Sequence, residues 1–234
     1  MLAVIDERLP MACRASLCRL GFSLLLLPPF PRLSPPVASH PDMLLLRVRD
    51  TLFCHREYYA IAPKEIGQIL RASGLSLCLT DDTVGEVYPT DVALNFVFTG
   101  NHLLGKTEVL SKRVKKYAET HHISLLSVNQ GYAKCSSVIL DGALITADTG
   151  IASTATSIGL DALVVSEGGV SLPPYPYGFL GGASGVFGKT VFFCGDICTH
   201  RDGVQIEAFC RKHGYDVVSL SAEPLFDGGS ILFF

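Results

Sequence analysis

The sequence predicts an α/β fold in which five units, each of two strands, a helix and a further strand, close into a ring. A polar, turn-rich loop followed by that ββαβ pattern recurs along the chain. Equivalent positions in these loops recur at a nearly constant spacing, which is typical of a radial or solenoid repeat. The two chain ends supply parts of one unit, and together they complete the fifth copy.

The first unit is divided between the chain ends. The N-terminal part has the strand "LAVID", a helix over about residues 9–20 and the strand "FSLLLL", and the C-terminal part has "SILFF". An open array would leave "SILFF" as an exposed apolar edge strand, which invites aggregation. We therefore predict that "SILFF" pairs with "LAVID" and closes the ring.

The other four units follow in order. Their first two strands are "MLLLRV" and "TLFCHR", "VALNFVF" and "HLLGK", "SSVILD" and "ALITAD", and "FLGGASGVF" and "TVFFCGD". Their helices are predicted over about residues 63–73, 108–120, 150–158 and 202–213. Each ends in a third strand: "LSLCLT", "ISLLSV", "ALVVSE" or "DVVSLS". The strands are short and bounded by Gly, Pro and Asp, and the helices have one apolar face to place over the sheets.

The loops between units carry the polar side chains. Their equivalent positions differ by 49, 44, 44 and 48 in residue number; they are Asp42, Asp91, Cys135, Phe179 and Asp227. A ring would bring these loops together at one end of its axis, where a small molecule could bind. In "GFLGGASG" the spacing does not fit a phosphate-binding loop, so we expect its glycines to permit close backbone approach.

Composition excludes several classes of protein. A chain of 234 residues with 48% hydrophobic and 18% charged residues predicts a single domain over residues 1–234. A net charge of −3 without a basic field argues against nucleic acid as a partner. No apolar run reaches the ~18–20 residues of a membrane span, and no signal peptide is predicted, so we expect a cytoplasmic protein with reduced cysteines. The sequence predicts no cofactor and no metal, and leaves the oligomeric state open.

The link between "ISLLSV" and "SSVIL" is the strongest candidate for chemistry. It places an amide, a phenol, an ammonium and a thiol in one short connection, at Gln130, Tyr132, Lys134 and Cys135. We expect Lys134 and His40 to lower the pKa of the Cys135 thiol, because the thiolate is the reactive form. The alternative is a half-buried cysteine beside a solvated lysine.

The candidate residues fall into two groups. The predicted catalytic residues are Cys135 as nucleophile, His40 as general acid or base, and Asp91. The predicted substrate-binding residues are Asp42, Asn95, Gln130, Tyr132, Lys134 and Asp227. Asp42 and Asp91 have the alternative of capping turns, and Asn95 that of satisfying backbone groups on a strand. Gln130 and Tyr132 have the alternative of lying at the rim.

The ordered motifs "HPDM", "YPTDVALN", "VNQGYAKCS", "YGFLGG" and "DGGSI" resemble a bacterial family of unknown function with the pentein fold. This fold is the α/β propeller of guanidino-group-modifying enzymes, which include deiminases, amidinohydrolases and amidinotransferases. The resemblance covers nearly the whole chain. It implies a hydrolase or transferase acting on a small guanidino, amidino or related polar metabolite, with Asp91 as a carboxylate that grips the guanidinium.

One departure from the resemblance bears on activity. Active penteins place a His and a nucleophilic Cys after the C-terminal glycine-rich turn, where this sequence has Leu232, Phe233 and Phe234. Two hypotheses follow. In the first, Cys135 or His40 carries the chemistry at a relocated site. In the second, the protein is a non-catalytic pseudoenzyme that binds a small metabolite.

Overall fold

The structure is a computed structural model that describes residues 1–234, with seventeen strands and seven α-helices. The strands are β1 (Leu2–Asp6), β2 (Ser23–Leu27), β3 (Leu45–Val48), β4 (Thr51–His55), β5 (Ser76–Thr80), β6 (Val97–Phe98), β7 (His102–Gly105), β8 (Ser124–Ser127), β9 (Ser137–Leu140), β10 (Ala143–Thr146), β11 (Asp161–Val164), β12 (Val170–Ser171), β13 (Ser184–Phe187), β14 (Thr190–Phe193), β15 (Asp216–Ser219), β16 (Leu225–Phe226) and β17 (Leu232–Phe233). The helices are α1 (Met11–Arg19), α2 (Pro41–Leu44), α3 (Arg56–Ile61), α4 (Pro63–Ser73), α5 (Lys112–Thr120), α6 (Thr149–Ser157) and α7 (Gly203–Lys212).

Five three-stranded sheets share one strand order. They are β17-β1-β2, β3-β4-β5, β6-β7-β8, β9-β10-β11 and β13-β14-β15. In each sheet the middle strand is antiparallel to the first strand listed and parallel to the last. A helical crossover joins each parallel pair, as parallel strands require. No strand pairing connects one of these sheets to the next.

The chain ends meet in the first sheet. Ala3 lies opposite Phe233 and Val4 lies opposite Leu232 in an antiparallel pair. The Leu2 and Phe234 backbones exchange two hydrogen bonds of 2.8 and 2.9 Å. The predicted pairing of the last strand with the first is confirmed.

Three of the predicted first strands are shorter than expected. "MLLLRV" begins inside the helical turn α2, only residues 97–98 of "VALNFVF" join a sheet, and β13 begins at Ser184. The residues that precede these strands lie in α2 or in irregular backbone, and they carry several of the polar side chains described below. A Cβ at Gly181 would lie 2.6 Å from the carbonyl oxygens of both Lys134 and Cys135, so this glycine permits close backbone approach as predicted.

The helices cover the sheets with their apolar faces. On α4, Ile66 and Ile69 are fully buried against the first two sheets, and burying each such side chain contributes about 1.5–3 kcal/mol. The helix predicted from residue 108 begins at Lys112 instead, because the Ser111 hydroxyl caps it by accepting from the Arg113 N–H. None of the helices combines the length and apolar character that crossing a bilayer requires.

Candidate functional site

The loops between the sheets enclose a cavity of about 220 Å³, here called the loop cavity. Its wall includes His40, Asp91, Tyr132, Cys135, Phe179 and Asp227. Four of the five repeated loop positions therefore line one cavity. The fifth, Asp42, contacts Cys135. The loops converge on this cavity as expected, and they bring together residues from segments that are far apart in the chain.

Asn95 holds the Cys135 backbone and side chain together. The Asn95 Oδ1 accepts from the backbone N–H groups of Lys134 and Cys135, at 2.9 and 3.2 Å. Its Nδ2 donates to the Cys135 sulfur at 3.0 Å and to the Asp42 carbonyl at 3.1 Å. Asn95 is fully buried and does not line the loop cavity. It was predicted to lie on the strand "VALNFVF", but it precedes β6, which begins at Val97. Its contacts are those of a residue that positions Cys135.

Asp42, Ser230 and Lys134 form a hydrogen-bonded row next to Cys135. The Ser230 hydroxyl donates to Asp42 Oδ2 at 2.7 Å, and the Lys134 ammonium donates to that hydroxyl at 2.8 Å. Asp42 and Lys134 line a different, mainly apolar cavity of about 440 Å³. Neither of them lines the loop cavity, so the structure does not bring them to the position expected of substrate contacts.

The thiol of Cys135 is protonated rather than activated. Burial raises its pKa well above the ordinary value, and the nearby Asp42 and Asp227 carboxylates raise it further. The S–H donates to Asp42 Oδ1 at 3.1 Å. The expectation that Lys134 and His40 lower this pKa was wrong, because the Lys134 ammonium bonds to Ser230 and the His40 ring is neutral.

The state of His40 follows from its neighbours. Burial, together with the charge of Arg8, lowers the pKa of His40 to about 3. Arg8 lies 3.1 Å from Nε2, and because a guanidinium can only donate, Nε2 accepts and the neutral ring carries its proton on Nδ1. Nδ1 has no hydrogen-bond partner and lies 4.0 Å from Asp227 Oδ1. His40 is thus a hydrogen-bond donor at neutral pH, which does not fit the expected role of acid or base.

The same contact bears on metal binding. One potential ligand atom from each of His40, Asp42 and Cys135 lies within 4.8 Å of the others, and these residue types are common zinc ligands. However, Arg8 occupies the single lone pair of the neutral His40 ring. The histidine therefore has no free donor atom for a metal.

Asp91 presents a buried carboxyl group with unused hydrogen-bonding capacity. Its Oδ2 accepts from the Tyr132 hydroxyl at 2.6 Å, while its Oδ1 is buried without a partner. Burial raises the pKa of Asp91, and the Tyr132 hydrogen bond opposes that shift. A cationic donor that reached Oδ1 would satisfy the free oxygen.

Asp227 joins two loops and also faces the loop cavity. Its oxygens accept the backbone N–H groups of Phe179 and Gly229, at 2.8 and 3.0 Å. Burial, and then the charge of Asp42, raises the pKa of Asp227 to about 7 despite these bonds. At neutral pH this carboxyl group is near the midpoint of its titration, which suits proton transfer.

Aromatic side chains complete the cavity. The rings of Tyr132 and Phe179 lie with their centroids 5.8 Å apart, and the half-exposed Tyr175 and Tyr177 stand at the mouth. These two tyrosines follow β12, which pairs with β16 and so brings their loop next to Asp227.

Some residues were misassigned or missed from the sequence. Gln130 accepts from the Tyr132 N–H at 3.0 Å and lines a separate surface cavity, so it lies outside the loop cavity. Ser230 and Arg8 were missed, although both make direct contacts to predicted residues. Ser230 follows the "DGG" turn and adopts a positive φ of 67°. No local sequence pattern indicated its hydrogen bond to Asp42.

Solved structures with a similar fold include guanidino-modifying enzymes. A dimethylarginine dimethylaminohydrolase variant, in an adduct with S-methyl-L-thiocitrulline, has a TM-score of 0.61 at 12% identity, covering 94% of this chain and 92% of that one. A mutant of the enzyme from Pseudomonas aeruginosa, in complex with citrulline, has a TM-score of 0.59 at 12% identity with the same coverage. SxtG, an amidinotransferase from Microseira wollei, has a TM-score of 0.55 at 11% identity, covering 89% of this chain and 72% of that one.

These likenesses define the class by its fold: a mixed α/β protein of the pentein type. The chain belongs to the family of unknown function DUF6873, which it matches over residues 4–232. The resemblance inferred from the motifs is thereby confirmed. No curated protein is significantly similar to this sequence.

Proposed function

We propose that this protein is a hydrolase or transferase that acts on a small guanidino or amidino compound bound in the loop cavity. One observation carries the proposal: the Cys135 thiol, which is hydrogen-bonded to the Asp42 carboxylate, faces a small cavity. Two further buried carboxyl groups, those of Asp91 and Asp227, face the same cavity. Carboxyl groups suit a planar cation, and the thiol is a nucleophile for its electrophilic carbon.

We infer that the five sheets surround a common axis as the blades of an α/β propeller, within one domain over residues 1–234. The shared strand order of the sheets supports this arrangement. So do the contacts of β13 with both β9 and β17, which belong to two other sheets. A location in the cytoplasm and the absence of nucleic-acid partners stay predictions from the sequence.

In the proposed binding mode, Asp91 and Asp227 hold the cation. The free Oδ1 of Asp91 accepts one N–H of the guanidinium, and Asp227 accepts another. The Tyr132 and Phe179 rings supply flat surfaces next to these carboxyl groups, which favours a planar cation. The charge of the ligand would also lower the pKa of the Cys135 thiol, because a nearby cation favours the thiolate.

In the proposed reaction, the Cys135 sulfur attacks the guanidinium carbon while its proton passes to Asp42 Oδ1, with which it is hydrogen-bonded. The carbon–nitrogen bond to the leaving amine breaks, and protonated Asp227 donates a proton to that nitrogen. Water or an acceptor amine then attacks the same carbon and returns a proton to Asp227. The sulfur departs and recovers its proton from Asp42. In hydrolysis the protonated urea-type product then loses a proton to solvent, whereas in transfer the guanidinium product keeps the positive charge of the substrate.

A second candidate is a pseudoenzyme that binds the same kind of cation without turnover. The high pKa of the buried Cys135 thiol favours it. It is also favoured by Leu232 and Phe233, which occupy the β17 pairing with β1 where the resemblance expects His and Cys.

The test is turnover and binding by the wild type and Cys135→Ser with a panel of guanidino and amidino compounds. We expect the wild type to release an amine or ammonia from at least one compound, and Cys135→Ser to keep a ligand-dependent rise in Tm without product. Cys198→Ser, at an exposed thiol, is the matched control and should retain full turnover. Full turnover by Cys135→Ser would refute the nucleophile, and a Tm shift without product in the wild type would identify the pseudoenzyme.

A further inference from the structure

We propose that the ligand of the loop cavity carries no carboxylate, so that it is a guanidinoalkylamine or a simple alkylguanidine rather than an amino acid. This inference rests on the proposed function and narrows its substrate class. The ionisable side chains on the cavity wall other than His40, Cys135 and the tyrosines are all acidic: Glu86, Asp91 and Asp227. No lysine or arginine lines the cavity.

The cations next to the wall residues His40 and Cys135 are already engaged. Arg8 forms a salt bridge of 3.0 Å with the buried Asp6 and a hydrogen bond to His40, so it lies behind the histidine ring. The Lys134 ammonium bonds to Ser230 and lines the other cavity. Neither can reach a ligand carboxylate without breaking a buried contact.

A carboxylate inside the loop cavity would therefore be repelled. It would lose its hydration next to Asp91 and Asp227 and gain no opposite charge in return. The neutral donors on the wall are the Nδ1–H of His40 and the hydroxyls of Ser34 and the tyrosines, and none of them supplies the positive charge that a desolvated anion needs. Burial of an unpaired carboxylate weakens the binding of a ligand by more than the loss of one favourable contact would.

The mouth of the cavity favours a second positive charge instead. Tyr175 and Tyr177 expose 44% and 41% of their surface there, and aromatic faces attract ammonium groups. Glu86 is exposed at the same mouth and has no hydrogen-bond or salt-bridge partner. The volume of about 220 Å³ is below the ~300–1,000 Å³ of typical ligand pockets, which limits the ligand to a small molecule.

The decisive experiment compares 4-guanidinobutylamine with L-arginine, because the two differ only by the α-carboxylate. Binding is measured by calorimetry with Cys135→Ser and, in case that variant fails to fold, by Tm shift with the wild type. We expect the amine to bind at least tenfold more tightly. Equal or tighter binding of arginine would overturn this inference and leave the proposed function intact. If neither these two compounds nor simple alkylguanidines bind, both the inference and the proposed function fail.

A charge reversal tests the same electrostatic cause. Glu86→Lys should reduce the preference for the amine over arginine at least tenfold, because it replaces an anion at the mouth with a cation. Glu119→Lys, at the exposed end of α5, makes the same change in net charge away from the cavity and should leave the preference as in the wild type. An unchanged preference in Glu86→Lys, or an equal change in both variants, would contradict the assignment.

Discussion

Replacing Asn95 with leucine should destabilise the protein strongly, because this one side chain satisfies three backbone groups. The variant would leave the N–H groups of Lys134 and Cys135 and the carbonyl of Asp42 without partners. Each buried group that loses its partner costs about 1–3 kcal/mol. The sum is at least about 3 kcal/mol, a large share of the roughly 5–15 kcal/mol by which domains are stable.

Urea unfolding followed by circular dichroism measures this loss. We expect the free energy of unfolding to fall by about 3–9 kcal/mol, with an m-value close to that of the wild type. Asn129→Leu is the matched control, since Asn129 is exposed and its substitution should change stability by no more than about 0.5 kcal/mol. If Asn95→Leu were as stable as Asn129→Leu, the hydrogen bonds of Asn95 would not hold the Cys135 segment.

Three other predictions concern the same loops. The pKa of Asp227 rises from 3.8 to about 7 on folding, so the folded state binds the extra proton. The stability of the wild type relative to Asp227→Asn should therefore fall by up to about 4 kcal/mol as pH rises from 4 to 7. A stability difference that does not change with pH in urea unfolding would refute this. A Cβ at Gly182 would overlap the Asp227 carboxylate, so Gly182→Ala should lower Tm. The control Gly67→Ala, inside α4, should stabilise the protein by about 0.5–1 kcal/mol. Equal Tm values for the two variants would contradict the contact between Gly182 and Asp227. Tyr132→Phe removes the sole side-chain partner of Asp91 and should cost about 1–3 kcal/mol by urea unfolding, against no more than about 0.5 kcal/mol for Tyr175→Phe at the exposed mouth.

The unit order and the pairing of the chain ends could be predicted because they depend on local hydrophobic patterns. Each strand is a short apolar run. The strand "SILFF" needed a partner, and "LAVID" was the strand whose unit still lacked its first strand. The loop positions that meet at the cavity followed from the same repeat, since equivalent positions in repeated units face the same way. The strand lengths were wrong where Asn95, Gly181 and Gly182 bind neighbouring loops, because an apolar run alone does not reveal such contacts.

The chemical state of the site could not be predicted, because it depends on burial and on contacts between distant segments. The neutral ring of His40 results from burial and from Arg8, 32 residues earlier. The raised pKa of Cys135 results mainly from burial, together with Asp42, 93 residues away. Likewise, Ser230 contacts Asp42 across 188 residues. Sequence spacing located these residues but gave no measure of their solvation.

The pairing of β1 with β17 has a consequence for biosynthesis. The first strand emerges from the ribosome long before β17, so the first sheet keeps an unpaired apolar edge until more than 200 further residues have been synthesised. Contacts between residues so distant in sequence slow folding and prolong exposure to aggregation. A chaperone that shields "LAVID" until β17 has been synthesised should therefore raise the yield of native protein more than one that acts only after that point.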